Sequence, residues 1–276
     1  MPASVIWVIR PQAAATLPAS SGRAVHAALL AHVAAADPAL AANLHAPDAP
    51  RPFTCSSLLG ARPIGKGQVA VSPESSYRLR LTALTDELQS LLCQPPKSIN
   101  LDGHPFSVVS VLLNPVEDSW ASVSTWESLS ASWLLQRQEV PERIELDFAS
   151  PTVFHSGGIT VPLPIPGLVF GSLLERWNAF APLALHPALK RYAAECVGIE
   201  RYSLHTRALP FKEGGLRIGF VGRCAYRLLR RDPFWMSQMQ LLADACLYLG
   251  VGYQTAIGLG QARRALPLGS TPQASR

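Results

Sequence analysis

The stretch that completes the fold reads GVGYQTAIGLGQARR, residues 250–264. It joins DPFWMSQMQLLADACLYLG (232–250), which predicts a buried helix, to GQARRALPL (260–268), which predicts a last strand. One glycine can end the helix and a second can allow a bulge into the strand. The stretch has more than two glycines, so the surplus favours close approach of a ligand to the backbone N–H groups. The glycines are Gly250, Gly252, Gly258 and Gly260.

Upstream of this loop, the second half of the chain predicts the order strand, helix, strand, strand, helix, strand. The segment SPTVFHSGGITVPLPIP (150–166) interrupts the series and is too rich in proline for a central strand. The earlier elements are a strand in RIELDFAS (143–150), a helix in GLVFGSLLERWNAF (167–180), and strands in RYSLHTRALPF (201–211) and LRIGFVGRCAYRLL (216–229).

The first half predicts the same order, with a short second helix at Asp37–Pro38, an N-cap followed by proline. In the strand SYRLRLTAL (76–84), Arg78, Arg80 and Thr82 alternate with apolar residues, which predicts one covered face and one solvent-exposed face. The other elements are a strand in SVIWVIR (4–10), a helix over residues 22–36, a strand in PFTCSSL (52–58), a helix in LTDELQSLLC (84–93) and a strand in FSVVSVLL (106–113).

The repeated β-α-β-β-α-β order predicts an α+β protein of two tandem ferredoxin-like domains, residues 1–139 and 140–276. Apolar residues make up 48% of the chain and charged residues 16%, which is enough to bury a core. The first domain has 9 Lys/Arg against 10 Asp/Glu, whereas the second has 15 against 9. The basic second domain favours an anionic partner, with nucleic acid ahead of a membrane surface.

Several classes of protein are disfavoured by what the sequence lacks. The five cysteines are widely spaced and form no Cys-x-x-Cys pair, which argues against a disulfide framework and a zinc site. Neither nucleotide-binding glycine motif fits the loop, and no spacing indicates a metal or another cofactor. The N-terminus MPASVIWVIR does not have the pattern of a signal peptide. The sequence therefore predicts a cytoplasmic protein with no membrane segment.

Basic residues lie on one face of the strand at 216–229. There Arg217, Arg223 and Arg227 alternate with the apolar residues, and His205 and Arg207 share a face of the preceding strand. If the two strands pair, these side chains form one surface that could follow a phosphate backbone. The alternative is a solvated face without a ligand.

Three histidines in the first half are candidates for proton transfer. On the first helix, His32 falls on the apolar stripe with Val25 and Leu29, which predicts a packing role. His26 lies at the edge of that stripe and could face a cleft. His45 follows the short second helix, where the helix dipole favours the imidazolium form.

Four segments of the second half resemble the CRISPR-associated endoribonucleases of the RAMP superfamily, and they occur in the order expected for that family. These enzymes cut repeat RNA into guide units. In the first half, SGRAVHAALLAHV (21–33) resembles the first helix of that family. LHAPDAPRPFTCSSL (44–58) resembles its loop with a catalytic histidine. The four segments are DFASPTVF (147–154), PLPIPGLVFGSLLERWNAF (162–180), GFVGRCAYRL (219–228) and GVGYQTAIGLGQAR (250–263).

The resemblance implies a metal-independent endoribonuclease that cuts CRISPR precursor RNA within repeats, without a cofactor. It places His45 as general acid or base, and we expect His26 to be its partner and Arg51 to stabilise charge. It leaves open contacts with other CRISPR effector subunits and formation of a homodimer. The residues expected to hold the repeat RNA are Arg207, Arg223, Thr255, Arg263 and the glycines Gly250, Gly252, Gly258 and Gly260.

Two alternatives remain at this stage. The first is a guide-RNA-binding subunit of the same superfamily that does not cleave, which would need the basic surface but neither histidine. The second is a ferredoxin-like protein with an unrelated small-molecule function, which the basic second domain disfavours.

Overall fold

The computed structural model describes residues 1–44, 50–135, 139–210 and 216–265, and it confirms the predicted order of elements in both halves. The predicted His45 lies outside the described residues. The first half contains β1 (Ala3–Pro11), β2 (Ala15–Pro18), α1 (Gly22–Ala36), α2 (Pro38–Leu44), β3 (Phe53–Cys55), β4 (Arg62–Gly65), β5 (Gln68–Val71), β6 (Tyr77–Ala83), α3 (Asp86–Cys93), β7 (Ser98–Leu101), β8 (His104–Leu112), β9 (Ser122–Val123) and α4 (Trp126–Leu134).

The main sheet of the first half has the antiparallel order β3-β6-β1-β8-β7, with β9 added beside β1. The first strand of the repeat, β1, is therefore central, between the third and fourth strands β6 and β8, as in a ferredoxin-like domain. Helices α1 and α3 share one apolar core with this sheet. A separate three-stranded sheet, β2-β5-β4, was not predicted.

The second half repeats the arrangement, with the strand order β13-β14-β10-β15. Helices α5, α6 and α7 pack with this sheet in a second apolar core. The fold prediction is thus confirmed. The elements are β10 (Arg143–Thr152), β11 (Phe154–Ser156), β12 (Ile159–Val161), α5 (Pro166–Phe180), α6 (Leu189–Cys196), β13 (Val197–Pro210), β14 (Leu216–Leu228), α7 (Pro233–Leu249), a 3-10 turn (Thr255–Ile257) and β15 (Ala262–Arg264).

Local signals in the sequence explain where several helices begin and end. The Asp37 carboxylate accepts a hydrogen bond from the Leu40 N–H at 2.9 Å, so this residue caps α2 as predicted. Asp232 caps α7 in the same way, with Pro233 in the first helical position. The C-cap of α7 is Gly250, whose φ of 68° favours glycine.

The exposed face predicted for β6 is wrong for Arg80 and Thr82. Arg80 is only 2% exposed and Thr82 is fully buried. The guanidinium of Arg80 donates to the Leu247 carbonyl and to the side chain of Gln261, both in the second half. The alternation of apolar and polar residues correctly separates the two faces of β6. The second domain, however, covers the polar face, which would contact water if the sheet were alone.

Helix α4 connects the two halves although it precedes residue 139. Trp126 packs edge-on against Trp177 of α5, with ring centroids 5.2 Å apart. The indole of Trp133 donates to the carboxylate of Asp244 in α7. The boundary at residue 139 stays a prediction, and the helix before it belongs by packing to the second core.

The hairpin of β13 and β14 extends beyond the second core. Phe220 and Tyr226 are buried, whereas Leu216 and Ile218 on the same strand face are 68% and 46% exposed. None of the helices formed by the described residues has the length and apolar character needed to cross a bilayer.

Candidate nucleic-acid interface

A cleft of about 570 Å³ lies between the main sheets of the two halves. Arginines from both halves line it, and the carboxylate among its lining residues, Asp118, pairs with Arg78 at 2.8 Å. The positive charge of the lining therefore exceeds the negative charge, as an RNA backbone requires. The arginines that line the cleft are Arg23, Arg78, Arg80, Arg207 and Arg217.

Pairing of β13 with β14 places the predicted basic residues on one face. Arg207 lies opposite Gly219, and Arg223 lies opposite Ser203, so both side chains point to the same side as Arg217. Arg207 is exposed beside the cleft, whereas Arg223 is half-buried. The predicted pairing of these two strands is confirmed.

Ion pairs offset part of the positive charge at the outer end of this basic face. Arg227 forms ion pairs with Glu142 at 3.3 Å and Glu200 at 3.8 Å. Glu200 also pairs with Arg143, and Glu142 also pairs with Arg231. Arg227 therefore already has two carboxylate partners within the protein.

The glycine loop, residues 250–261, closes on itself. All four predicted glycines have positive φ angles, between 65° and 103°. Val251 N–H donates to the Gly260 carbonyl at 2.9 Å. A Cβ added to Gly260 would lie 2.1 Å from the Val251 oxygen, and the buried side chain of Thr255 would be 2.9 Å from it. The sequence requires glycine here because the backbone folds against itself.

The same loop packs against the first domain. A Cβ added to Gly22 of α1 would lie 2.1 Å from the Ile257 oxygen, and one added to Gly258 would lie 3.0 Å from the Ser57 hydroxyl. Gly252 donates its N–H to the Ser172 hydroxyl at 3.1 Å. The loop is thus largely internal, and it presents Gln254, residues 257–259 and Gln261 to the cleft.

Arg263 connects the domains at the loop's exit. One Nη donates to the carbonyl and hydroxyl of Ser119, both at 2.8 Å, and the guanidinium carbon is 4.3 Å from the centroid of Trp120. Arg80 approaches the same indole at 4.9 Å. Burial lowers the pKa of Arg80 to about 9, so this guanidinium remains charged at neutral pH. Sequence reasoning missed Arg80 because it assigned this residue to a solvent-exposed face.

His26 lies where α1, β3 and the glycine loop meet. Its Nδ1 is 3.0 Å from the Ala256 carbonyl, and its ring centroid is 5.5 Å from that of Phe53. The ring is half-buried. Its position at the edge of the apolar stripe, as the helical period predicted, brings it against the loop.

His32 has the predicted packing role. Its ring meets Trp7 edge-on with centroids 5.7 Å apart, and Nε2 is 3.1 Å from the Leu91 carbonyl. This half-buried histidine connects α1 with β1 and α3 at the edge of the first core.

Arg51 is half-buried just before β3, and its carbonyl accepts a hydrogen bond at 3.1 Å from Arg176 of α5. The Nε of Arg176 is buried without a hydrogen-bond partner, and burial lowers the pKa of this side chain to about 10. Sequence reasoning missed Arg176, since nothing in LLERWNAF distinguishes it from a solvated helix residue. Within the four described ranges, no cluster of His, Cys, Asp and Glu could hold a metal ion.

Comparison with known proteins assigns both halves to one family. Residues 1–130 match the sequence profile described as the CRISPR Cas6 N-terminal domain, and residues 146–262 match that of the CRISPR-associated endoribonuclease Cas6. No curated protein sequence matches the chain.

Solved structures agree over nearly the whole length. A Cas6 product complex has a TM-score of 0.79 and 26% identity, and the match covers 96% of this chain and 100% of that one. Thermus thermophilus Cas6 has a TM-score of 0.73 and 26% identity, covering 96% and 98%. A Cas6 substrate mimic complex has a TM-score of 0.67 and 27% identity, covering 96% and 99%. With both of its domains matched in order, the chain belongs to the Cas6 family of CRISPR-associated endoribonucleases that process precursor guide RNA.

Proposed function

We propose that this protein cuts within each CRISPR repeat by a metal-independent reaction. The ribose 2′-OH attacks the adjacent phosphorus, and the P–O5′ bond breaks. One fragment ends in a 2′,3′-cyclic phosphate and the other begins with a 5′-hydroxyl, as part of a repeat-derived 5′ handle. A base must remove the 2′-OH proton, an acid must protonate O5′, and cations or N–H groups must hold the charge that develops on the phosphate.

The position of His26 is the observation that carries this proposal. A proton on Nδ1 directed at the Ala256 carbonyl leaves the lone pair on Nε2, so the neutral ring is in a form that accepts a proton. Arg23, one turn earlier on α1, lines the basic cleft. A proton-transfer group thus lies next to a surface suited to a phosphate backbone.

His45 is assigned the main acid or base role, with His26 as its partner and Arg51 as a stabiliser of charge. Described residues hold the chain on both sides of this histidine. Leu44, the last residue of α2, is buried, and the Arg51 carbonyl is bonded to Arg176.

The RNA backbone is expected to follow the cleft along Arg207 and Gly258, which line it. Arg223, next to Asp147 in the sheet, extends this surface. The remaining predicted contacts support the RNA site from inside the protein, because Thr255 is buried and Arg263 directs its donors to Ser119. The matched Cas6 structures include a product complex and a substrate mimic complex, which supports RNA binding by this fold.

End-group analysis of the products tests the reaction directly. Repeat RNA incubated with the purified protein in excess EDTA is expected to be cut at one position, with a cyclic phosphate upstream and a 5′-hydroxyl downstream. Loss of cutting in EDTA, with recovery when Mg²⁺ is added, contradicts the metal-independent mechanism. Tight binding without cutting under every condition supports the guide-RNA-binding subunit instead.

Arg223→Ala is expected to weaken binding of repeat RNA and to reduce the slope of log affinity against log salt by about 1, because one phosphate contact and its released counterion are lost. Affinity is measured at several salt concentrations with RNA that carries a 2′-deoxy nucleotide at the cut site. Arg227→Ala is the matched control, since its side chain is already paired with Glu142 and Glu200. Equal slopes for both variants would remove Arg223 from the RNA surface.

A further inference from the structure

One aromatic side chain of the glycine loop points outward. Tyr253 is 42% exposed, although most of the loop around it is buried. Its N–H donates to the Val153 carbonyl at 2.9 Å, and the preceding Gly252 is bonded to Ser172. The backbone therefore holds the ring in a defined place at the protein surface.

Two side chains fix the orientation of the Tyr253 ring. The guanidinium carbon of Arg217 lies 5.1 Å from the ring centroid, as in a cation–π contact. The imidazole of His155, from β11, meets the ring edge-on, with centroids 4.6 Å apart and an interplanar angle of 87°. An exposed aromatic ring next to a cation has the composition of a stacking site for an unpaired base.

Tyr253 lies at the boundary between the basic cleft and a second, smaller pocket. Arg217 and Gln254 line the cleft, and the arginine donates to the Gln254 side chain at 2.6 Å. The adjacent residue, Tyr253, lines a pocket of about 200 Å³ together with His155. An RNA backbone that follows Arg207 and Arg217 would bring its bases within reach of this ring.

The smaller pocket has both apolar and polar groups suited to a nucleobase. Phe154 contributes apolar surface, and the Gly252 backbone lines the pocket beside the tyrosine. At the rim, Glu175 and Lys190 form an ion pair at 2.9 Å. A carboxylate and an ammonium group side by side can accept a hydrogen bond from a base edge and donate one to it.

We propose that Tyr253 stacks on one unpaired base of the repeat RNA, which enters the pocket bordered by His155, Glu175 and Lys190. The proposal rests on the RNA binding in the cleft argued above. It adds a base-binding site in the second domain, separate from the histidines in the first, that distinguishes an unpaired nucleotide from a paired one.

Tyr253→Ala is expected to weaken binding of repeat RNA by about 5- to 30-fold, in the range found for loss of one stacked base. Tyr253→Phe is expected to bind as the wild type does, whereas Tyr253→Leu, which keeps apolar bulk without an aromatic face, is expected to behave like the alanine variant. Tyr202→Ala is the matched control, because that tyrosine is 66% exposed on β13, outside both the cleft and the pocket. Thermal melting checks that each variant is folded.

A scan with abasic nucleotides identifies the base. At one repeat position, removal of the base should weaken binding of the wild type but not of the Tyr253→Ala variant, since the lost contact is the same. Normal affinity of the leucine or alanine variant, or an abasic effect that is additive at every position, overturns the stacking site. If the wild type binds no repeat RNA at all, the proposed function fails, and the stacking proposal fails with it.

Discussion

Replacing His45 with alanine is expected to slow cleavage of repeat RNA by about 10²–10⁴-fold, with RNA affinity nearly unchanged, since this is the usual contribution of one general acid or base. Water replaces the imidazole poorly because it must lose or gain the proton at a less suitable pKa. The rate is measured in single turnovers with saturating protein, so that binding does not limit it. A wild-type rate for this variant would move the acid or base role elsewhere, with His26 as the next candidate.

Two other histidines provide internal controls for that measurement. His26→Ala is expected to slow cleavage less than His45→Ala, because its role is that of a partner that water can partly replace. His32→Ala is expected to lower the free energy of unfolding rather than the cleavage rate, because its ring packs on Trp7 and bonds the Leu91 carbonyl. A large rate loss for His32→Ala in a stable protein would contradict the assignment.

Gly260→Ala is expected to lower the free energy of unfolding by about 2–5 kcal/mol. The alanine would have to adopt a positive φ, and its Cβ would overlap severely with neighbouring backbone atoms. The added Cβ would lie 2.1 Å from the Val251 oxygen, so the ring of the loop must open. RNA affinity should fall as well, because the same loop sets the position of Gln254 beside the cleft. Chemical denaturation and RNA binding are measured on the same preparation.

Gly60→Ala separates the two causes of this effect. Gly60 has a φ of 89°, yet a Cβ added there has no neighbour within 4 Å, so only the backbone penalty of about 1 kcal/mol applies. RNA affinity should be unchanged. Equal losses of stability at the two positions would show that the loop tolerates a side chain at Gly260 and that its closure does not require glycine.

The sequence predicts each domain's element order because local patterns determine it. Alternation marks β6 and β14, and cap residues mark α2 and α7. What surrounds a strand face is set by distant chain segments, so Arg80 was assigned to solvent although the second domain covers it. The same limit applies to α4, because its partners Trp177 on α5 and Asp244 on α7 are distant in the sequence.

In the candidate site, too, local patterns predict some features, and contacts between distant segments determine the others. The basic face of β14 follows from alternation, whereas the glutamates that neutralise Arg227 come from other strands and loops. The role of His45 comes from family resemblance alone, since a lone histidine after a helix has no distinctive spacing. Neither Arg176 nor Tyr253 was singled out, because their significance depends on contacts with Arg51 and Arg217 that only the fold creates.

The shared interior of the two domains has a consequence for how the protein is made. Ala256, from the glycine loop, belongs to the core of the first domain, beside α1 and β3. During synthesis on a ribosome, the first domain emerges with part of its own interior still missing, and it can complete that interior only after residue 256 has been added. The proposed cutting site is then complete only late in synthesis, so an unfinished chain is not expected to act on RNA.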